Sequence, residues 1–209
     1  MYKYDVPENR CPKCYSMLVS CFCDQLTKVN SELSWSLIMY KKEYLLSSNT
    51  GRLALNTLPN CQLYLRGLPN KKIPWEHIFN SKKKFYFLFP SEDAIEPSQI
   101  EHKPRDIHFI VPDGSWNQAK KVLKREPALR NIQCVKLPDR KYISNYHCRK
   151  QPRENFLCTY ESMGIVIKEL EGDKEKSNLD KNLNVLTYTS LKNRRHFSPS
   201  KLKSLLWEK

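Results

Sequence analysis

Two apolar runs, Phe85-Tyr86-Phe87-Leu88-Phe89 and Ile107-His108-Phe109-Ile110-Val111, each stop at a proline, Pro90 and Pro112. Neither run alternates apolar with polar residues. A strand of this kind must be covered on both faces, which is the situation of a parallel sheet packed between helices. Three further segments read as strands of the same sheet: Leu33 to Tyr40, Cys61 to Leu65, and Ile132 to Leu137, the last closed by Pro138. Between them lie helical patterns. Thr50 to Leu58 carries Leu53, Leu55 and Leu58 ahead of Pro59-Asn60. Ser115 to Arg125 sets Trp116, Ala119, Val122 and Leu123 on one face, and Lys120, Lys121, Lys124 and Arg125 on the other. Thr159 to Leu170 is a further helix. Glu171 to Lys181 reads as a charged loop around Gly172, and Leu183 to Leu206 as a last amphipathic, basic segment. Strands alternating with helices define an α/β domain, with no internal repeats.

Four of the eight cysteines crowd into Cys11-Pro12-Lys13-Cys14 and Cys21-Phe22-Cys23. No stretch approaches the ~20 apolar residues needed to cross a bilayer, and Met1 to Arg10 has no signal-like apolar run. A cytoplasmic, reducing setting is therefore expected, where clustered thiols indicate metal sooner than disulfides. Four soft ligands suit one tetrahedral zinc in a closed, structural site. The other reading is a set of unrelated small core residues, but so short and polar a segment offers little else to bury them. Residues 1–30 are expected to form this zinc-binding segment and residues 31–209 the α/β body. Cys61, Cys134 and Cys158 read as core.

Lys and Arg number 36 against 22 Asp and Glu, a formal excess of +14, so a polyanion is the first partner to consider. The five glycines are all isolated. No G-x-G-x-x-G or G-x-x-x-x-G-K-[ST] can be drawn, which excludes the usual dinucleotide loop and the P-loop NTPases. H-E-x-x-H and G-x-S-x-G are also missing, which removes the common zinc-protease and serine-hydrolase readings.

Ligands of open α/β sheets bind beyond the carboxyl ends of the strands. Three loops stand out there: Pro90-Ser91-Glu92-Asp93-Ala94, Asp113-Gly114-Ser115-Trp116, and Ser144 to Pro152. In the second, a carboxylate follows directly on a buried strand and a hydroxyl can cap the next helix. Either this turn builds a site, or Asp113 or Ser115 merely caps the helix while Trp116 fills the core. The residue pattern leaves both open.

Taken in order, these motifs resemble the DTW-domain proteins: Cys11-x-x-Cys14 with Cys21-x-Cys23, Asn49-Thr50-Gly51-Arg52, Pro90-Ser91-Glu92-Asp93-Ala94, Asp113-Gly114-Ser115-Trp116, Arg149-Lys150-Gln151-Pro152 and Thr159-Tyr160-Glu161. The resemblance runs from about Arg10 to about Leu170. Ser115 stands where the family name records threonine. Where relatives tend to have a His-Pro pair before a glutamate, this chain has Lys41-Lys42-Glu43, to which no role is assigned. The resemblance implies tRNA-uridine aminocarboxypropyltransferase activity: transfer of the 3-amino-3-carboxypropyl group of S-adenosylmethionine to N3 of a tRNA uridine, with release of methylthioadenosine. It also implies a fold like that of the knotted SPOUT methyltransferases, a mostly parallel sheet flanked by helices, with Ser144-Asn145-Tyr146 in the cofactor loop.

On that reading Asp113 is the candidate general base for the uridine N3 proton, with an orienting role as the alternative. Pro90, Ser91, Asp93, Gly114, Ser115, Trp116, Ser144, Tyr146, Arg149, Thr159 and Glu161 are expected to hold S-adenosylmethionine. Arg52, Lys120, Lys121, Lys124, Lys150 and Arg153 are expected to face tRNA, and Trp116 is placed in the core rather than on a stacking platform. Two other classes compete: a non-catalytic zinc-containing RNA-binding module, and an RNA methyltransferase on the same scaffold.

Overall fold

The computed structural model describes residues 6–149 and 156–192. Its centre is a five-stranded sheet, β1 (Ser34–Tyr40), β2 (Cys61–Arg66), β3 (Lys84–Leu88), β4 (Ile107–Asp113) and β5 (Gln133–Val135), with every pair parallel and the order β2-β1-β4-β3-β5. Six α-helices accompany it: α1 (Lys41–Tyr44), α2 (Thr50–Thr57), α3 (Trp75–Phe79), α4 (Trp116–Arg125), α5 (Thr159–Glu171) and α6 (Asp173–Lys192). The expected α/β class with a parallel sheet and flanking helices is the one observed. β5 is shorter than its apolar run because the next N–H, on Lys136, bonds to Ile95 in the loop after β3.

Both faces of the strands are buried, as their unbroken apolar runs require. Trp35, Leu37, Phe109 and Val111 turn to one face, where they meet Leu53 of α2 and Leu58 just beyond it, Met163 and Val166 of α5, and Leu179, Leu183 and Leu186 of α6. Ile38, Phe87 and Ile110 turn to the other, against Ile78 of α3 and Val122 of α4. Trp35 and Phe109 stack across β1 and β4 with ring centroids 5.1 Å apart.

The charged stretch after Glu171 is helical, which corrects its reading as a loop. Gly172 does interrupt the chain, with φ +93°, a conformation that costs a residue without a Cβ least. A new helix then starts at once. Its acidic first turn, Asp173 and Glu175, suits a helix N-terminus, Lys176 pairs with Asp180 one turn on, and Leu179, Leu183 and Leu186 form a buried stripe. The charges are the solvent side of an amphipathic helix whose apolar period begins before Leu183. Within the described residues it ends at Lys192; the rest of the segment to Leu206 lies outside them.

One polar chain crosses this apolar layer. Asn182 of α6 donates to the Tyr160 hydroxyl at 3.3 Å, that hydroxyl lies 2.8 Å from Thr57 Oγ1, and Thr57 donates to the Leu53 carbonyl at 2.9 Å. α2, α5 and α6 are thereby fixed to one another by groups that water does not reach. Removing the central hydroxyl leaves its two neighbours one partner short. Tyr160→Phe should cost about 1–2 kcal/mol of unfolding free energy, read as a lower denaturant midpoint with an unchanged slope.

Candidate active site

The chain leaves β1 toward β2 on one side of the sheet and leaves β4 toward β5 on the other. Their carboxyl ends, side by side at the register pair Met39 and Asp113, therefore open a crevice of the kind in which α/β proteins bind ligands. Asp113 continues the inward row Phe109 and Val111 and is 4% exposed. A carboxylate thus occupies a core position at the mouth of the crevice.

Two helix starts meet it. Asn49 caps α2, its Oδ1 accepting from Arg52 N at 2.8 Å, and its Nδ2 donates to Asp113 Oδ2 at 2.7 Å. Thr159, the first residue of α5, donates its hydroxyl to Asp113 Oδ1 at 2.5 Å. A Cβ on Gly51 would stand 2.9 Å from the Asp113 carboxylate and 3.0 Å from Met39 Cε, so only glycine lets α2 approach this closely. Burial pushes the Asp113 pKa above its ordinary value of 3.8, and Glu43 adds to the rise. The hydrogen bonds from Asn49 and Thr159 and the charge of Arg149 oppose it.

The loop before α5 completes the wall. Glu161 is buried and accepts from Ser144 Oγ at 2.8 Å, Asn145 N at 2.7 Å and Cys158 N at 2.9 Å. It fastens the loop to the helix. Tyr146, buried beside it, donates its hydroxyl to the Ser48 carbonyl. Arg149 pairs with Glu43 at 2.8 Å and reaches Ser48 Oγ at 3.4 Å.

Two adjoining cavities result. The smaller, about 280 Å³, is lined by Glu43, Ser48, Asn49, Asp113, Ser115, Tyr146 and Arg149. The larger, about 510 Å³, has a mostly apolar wall that includes Leu88, Phe89, Pro90, Val111, Val135 and Leu137. Gly114, Trp116, Leu157 and Thr159 line both. Of the residues expected to hold a cofactor, Pro90, Gly114, Ser115, Trp116, Tyr146, Arg149 and Thr159 line one or both cavities. Ser91, Asp93, Ser144 and Glu161 line neither, and the last two serve to hold the loop. Ser115 is also the α4 cap, with a reciprocal pair of bonds to Gln118 at 3.3 and 2.7 Å. Cap and site are therefore the same turn.

Two expectations need correction. Trp116 is not core: it is 39% exposed, with its ring 4.5 Å from that of Phe156 and 5.7 Å from that of Phe89. At the first position of α4 it projects over the cavities, a turn away from the buried Ala119 and Val122. Arg52 does not face solvent. It is 3% exposed, its guanidinium 4.1 Å from the Tyr44 ring and 4.9 Å from the Tyr15 ring, and it donates to the Tyr44 carbonyl. This arginine ties α2 to the cysteine-rich segment and is not available to a phosphate. Lys120, Lys121, Lys124 and Arg125 are exposed along α4, on the helix that begins at the site. Lys150 and Arg153, with Gln151 and Pro152 of the same motif, lie outside the described residues. Sequence reasoning missed Glu43, Ser48 and Asn49 as wall residues. Asn49 carried a signal as the first residue of the Asn49-Thr50-Gly51-Arg52 motif, and Glu43 as the glutamate of a segment to which no role was assigned; Ser48 carried none.

In the N-terminal segment, which Arg52 joins to α2, the Sγ atoms of Cys11, Cys14, Cys21 and Cys23 all lie within 4.8 Å of one another, with Cys11 to Cys23 at 3.7 Å and Cys14 to Cys21 at 3.8 Å. Metal–sulfur bonds of about 2.3 Å in a tetrahedron give edges of roughly 3.8 Å. The four thiols are compatible with one structural zinc. Cys11, Cys14 and Phe22 belong to the same apolar cluster as α2 and α5. Among the described residues, no helix is long and apolar enough to cross a membrane.

The model of the DTW domain matches residues 8–191. tRNA-uridine aminocarboxypropyltransferase 2 of Drosophila melanogaster is similar to this chain, 29% identical over 174 residues that cover 80% of this chain and 68% of that protein. No solved structure matches. With a match that spans the cysteine cluster, the Asp113 turn and the helices that hold it, the chain belongs to the DTW domain family.

Proposed function

We propose that this protein is a tRNA-uridine aminocarboxypropyltransferase, with S-adenosylmethionine as donor. The observation that carries the reading is Asp113, a buried carboxylate with a raised pKa facing a cavity at the sheet's switch point. The similarity to the Drosophila protein supplies the substrate class. The larger, mostly apolar cavity suits the adenosine of the donor, and the smaller the reacting groups.

Uridine N3 carries a proton and becomes a nucleophile only as that proton leaves. Asp113 accepts it. Each Asp113 oxygen receives one protein hydrogen bond, which leaves acceptor capacity for a third. The N3–C bond then forms as the C–S bond breaks, with the electron pair remaining on sulfur. The leaving group is a neutral thioether and needs no general acid. Asn49 and Thr159 hold the carboxylate in place, and alignment of the two reacting centres accounts for much of the remaining acceleration. The exposed lysines of α4 extend from the site as a phosphate-binding face, which positions RNA without reading its sequence. The cysteine cluster holds zinc in a closed, structural role.

Incubating unmodified tRNA with the protein and S-adenosylmethionine should yield a nucleoside heavier by the aminocarboxypropyl group, together with methylthioadenosine. S-adenosylhomocysteine as the product would make the protein a methyltransferase instead. If neither appears and the donor does not bind, the protein is an RNA-binding module.

Protein purified without chelators should contain close to one zinc per chain. Cys11→Ser with Cys14→Ser should remove the metal and expose the N-terminal segment to proteolysis. Absence of zinc from the unaltered protein would contradict this assignment.

Asp113→Asn should lower turnover by about 100- to 10,000-fold, with tRNA affinity nearly unchanged and still falling steeply with salt. Its stability should respond in the opposite sense. Asp113's folded pKa is raised above its unfolded value, so between the two the unfolded chain is ionised while the folded one keeps its proton. Folding stability therefore falls as pH rises through the folded pKa, and activity, which needs the carboxylate, rises over the same window. Asp113→Asn should melt no lower than the parent at neutral pH and should lose that stability trend. A variant with parental turnover would remove Asp113 from the base role.

A further inference from the structure

The Lys41-Lys42-Glu43 segment carries a residue that the proposed chemistry leaves unused. Glu43 stands at the end of β1 in the short α1 helix, and its carboxylate lines the smaller cavity together with Asp113. There it pairs with Arg149 from the far loop at 2.8 Å. Neither side chain is sealed away, at 20% and 37% exposure. The hydrogen bonds of Arg149 from Nε and Nη2 to Ser48 Oγ are long, at 3.4 Å. One short hydrogen bond therefore holds the pair at the wall of a cavity, where a ligand with matching charges can insert.

The group to be transferred has such charges. At neutral pH the aminocarboxypropyl end of the donor bears one carboxylate and one ammonium on the same carbon. A lone arginine would take any anion; an arginine beside a carboxylate selects a zwitterion, because an anion alone meets Glu43 and a cation alone meets Arg149. We propose that the Glu43–Arg149 pair is the recognition element for this zwitterion, with Arg149 receiving its carboxylate and Glu43 its ammonium. The inference rests on the transferase reading and deepens it. It puts the transferred group in the cavity that Asp113 faces, so the proton acceptor and the moving carbon chain share one compartment. The thioether left behind has no zwitterion and loses its hold on the pair.

Calorimetry with the full chain and three ligands separates the possibilities: S-adenosylmethionine, its decarboxylated form, which keeps the ammonium, and methylthioadenosine, which has neither charge. Arg149→Ala should weaken S-adenosylmethionine by about 10- to 100-fold, the range of a charge-assisted hydrogen-bonded pair. The other two ligands should stay within about twofold. Glu43→Gln should weaken the decarboxylated form several-fold and leave methylthioadenosine unchanged. Methylthioadenosine affinity also reports that each variant is folded, and Arg149→Lys, with its charge kept and its fork lost, should fall between Arg149→Ala and the parent. Equal losses for all three ligands would make the pair a strap that only shapes the site, and undiminished S-adenosylmethionine binding in Arg149→Ala would also overturn the proposal. If the parent binds none of the three, the transferase reading fails first.

Discussion

A carboxylate buried at the end of a hydrophobic strand row is the constraint around which this protein is arranged. Asp113 loses hydration on folding, and two neutral donors replace part of it, Asn49 and Thr159, each at the start of a helix. Helix N-termini carry partial positive charge, so α2 and α5 favour the ionised form through their backbones as well as their side chains. Arg149, whose charge acts on Asp113, is paired with Glu43. The group is consequently left protonatable. An immediate salt bridge would have locked it as an anion of low basicity, and a wholly apolar pocket would have kept it neutral.

The same demand reaches into the packing. For Asn49 to touch Asp113, α2 must lie against the ends of β1 and β4, and Gly51 makes the approach possible by having no side chain. For Thr159 to touch it, α5 must begin where it does, and Glu161 fixes that start by drawing Ser144, Asn145 and the Cys158 amide onto one carboxylate. Glu161 therefore acts at one remove from the site, through the loop that carries Tyr146 and Arg149.

The sheet was legible because burial on both faces writes itself into consecutive apolar residues, and the five strands fall on the runs that end at Pro90, Pro112 and Pro138 and on the two earlier segments. The Asp113 turn was legible for a local reason, a carboxylate followed by a helix cap. What escaped was non-local or ambiguous in period. Nothing near Glu43 announces that Arg149, over a hundred residues on, will face it. Arg52, expected to face tRNA, is instead buried against two tyrosine rings, Tyr15 and Tyr44, that lie far from each other in sequence. α6 hid behind its charges, since Glu and Lys fill loops and the outer faces of helices alike. Trp116 fits the apolar stripe of α4 by spacing, but the first turn of that helix overhangs the site.

The stretch after the cysteines is held by α5 and α6 as well as by α2, whose Thr57 carbonyl accepts from the Val29 amide at 2.9 Å. Both the amide N–H and the carbonyl of Thr27 bond to the side chain of Asn182, at 2.8 Å each, and the amides of Asn30 and Glu32 bond to Glu175 and Glu171. During synthesis, then, Thr27 waits for a partner 155 positions later. At about 5–20 residues per second that is an interval of roughly 8 to 30 s. The four thiols need no such wait, since all lie between Cys11 and Cys23 and can gather while the platform beneath them is still being translated. The order of assembly is thus written into the lengths of the loops: the thiols can gather early, whereas Thr27, Asn30 and Glu32 meet their side-chain partners only once α5 and α6 have been made.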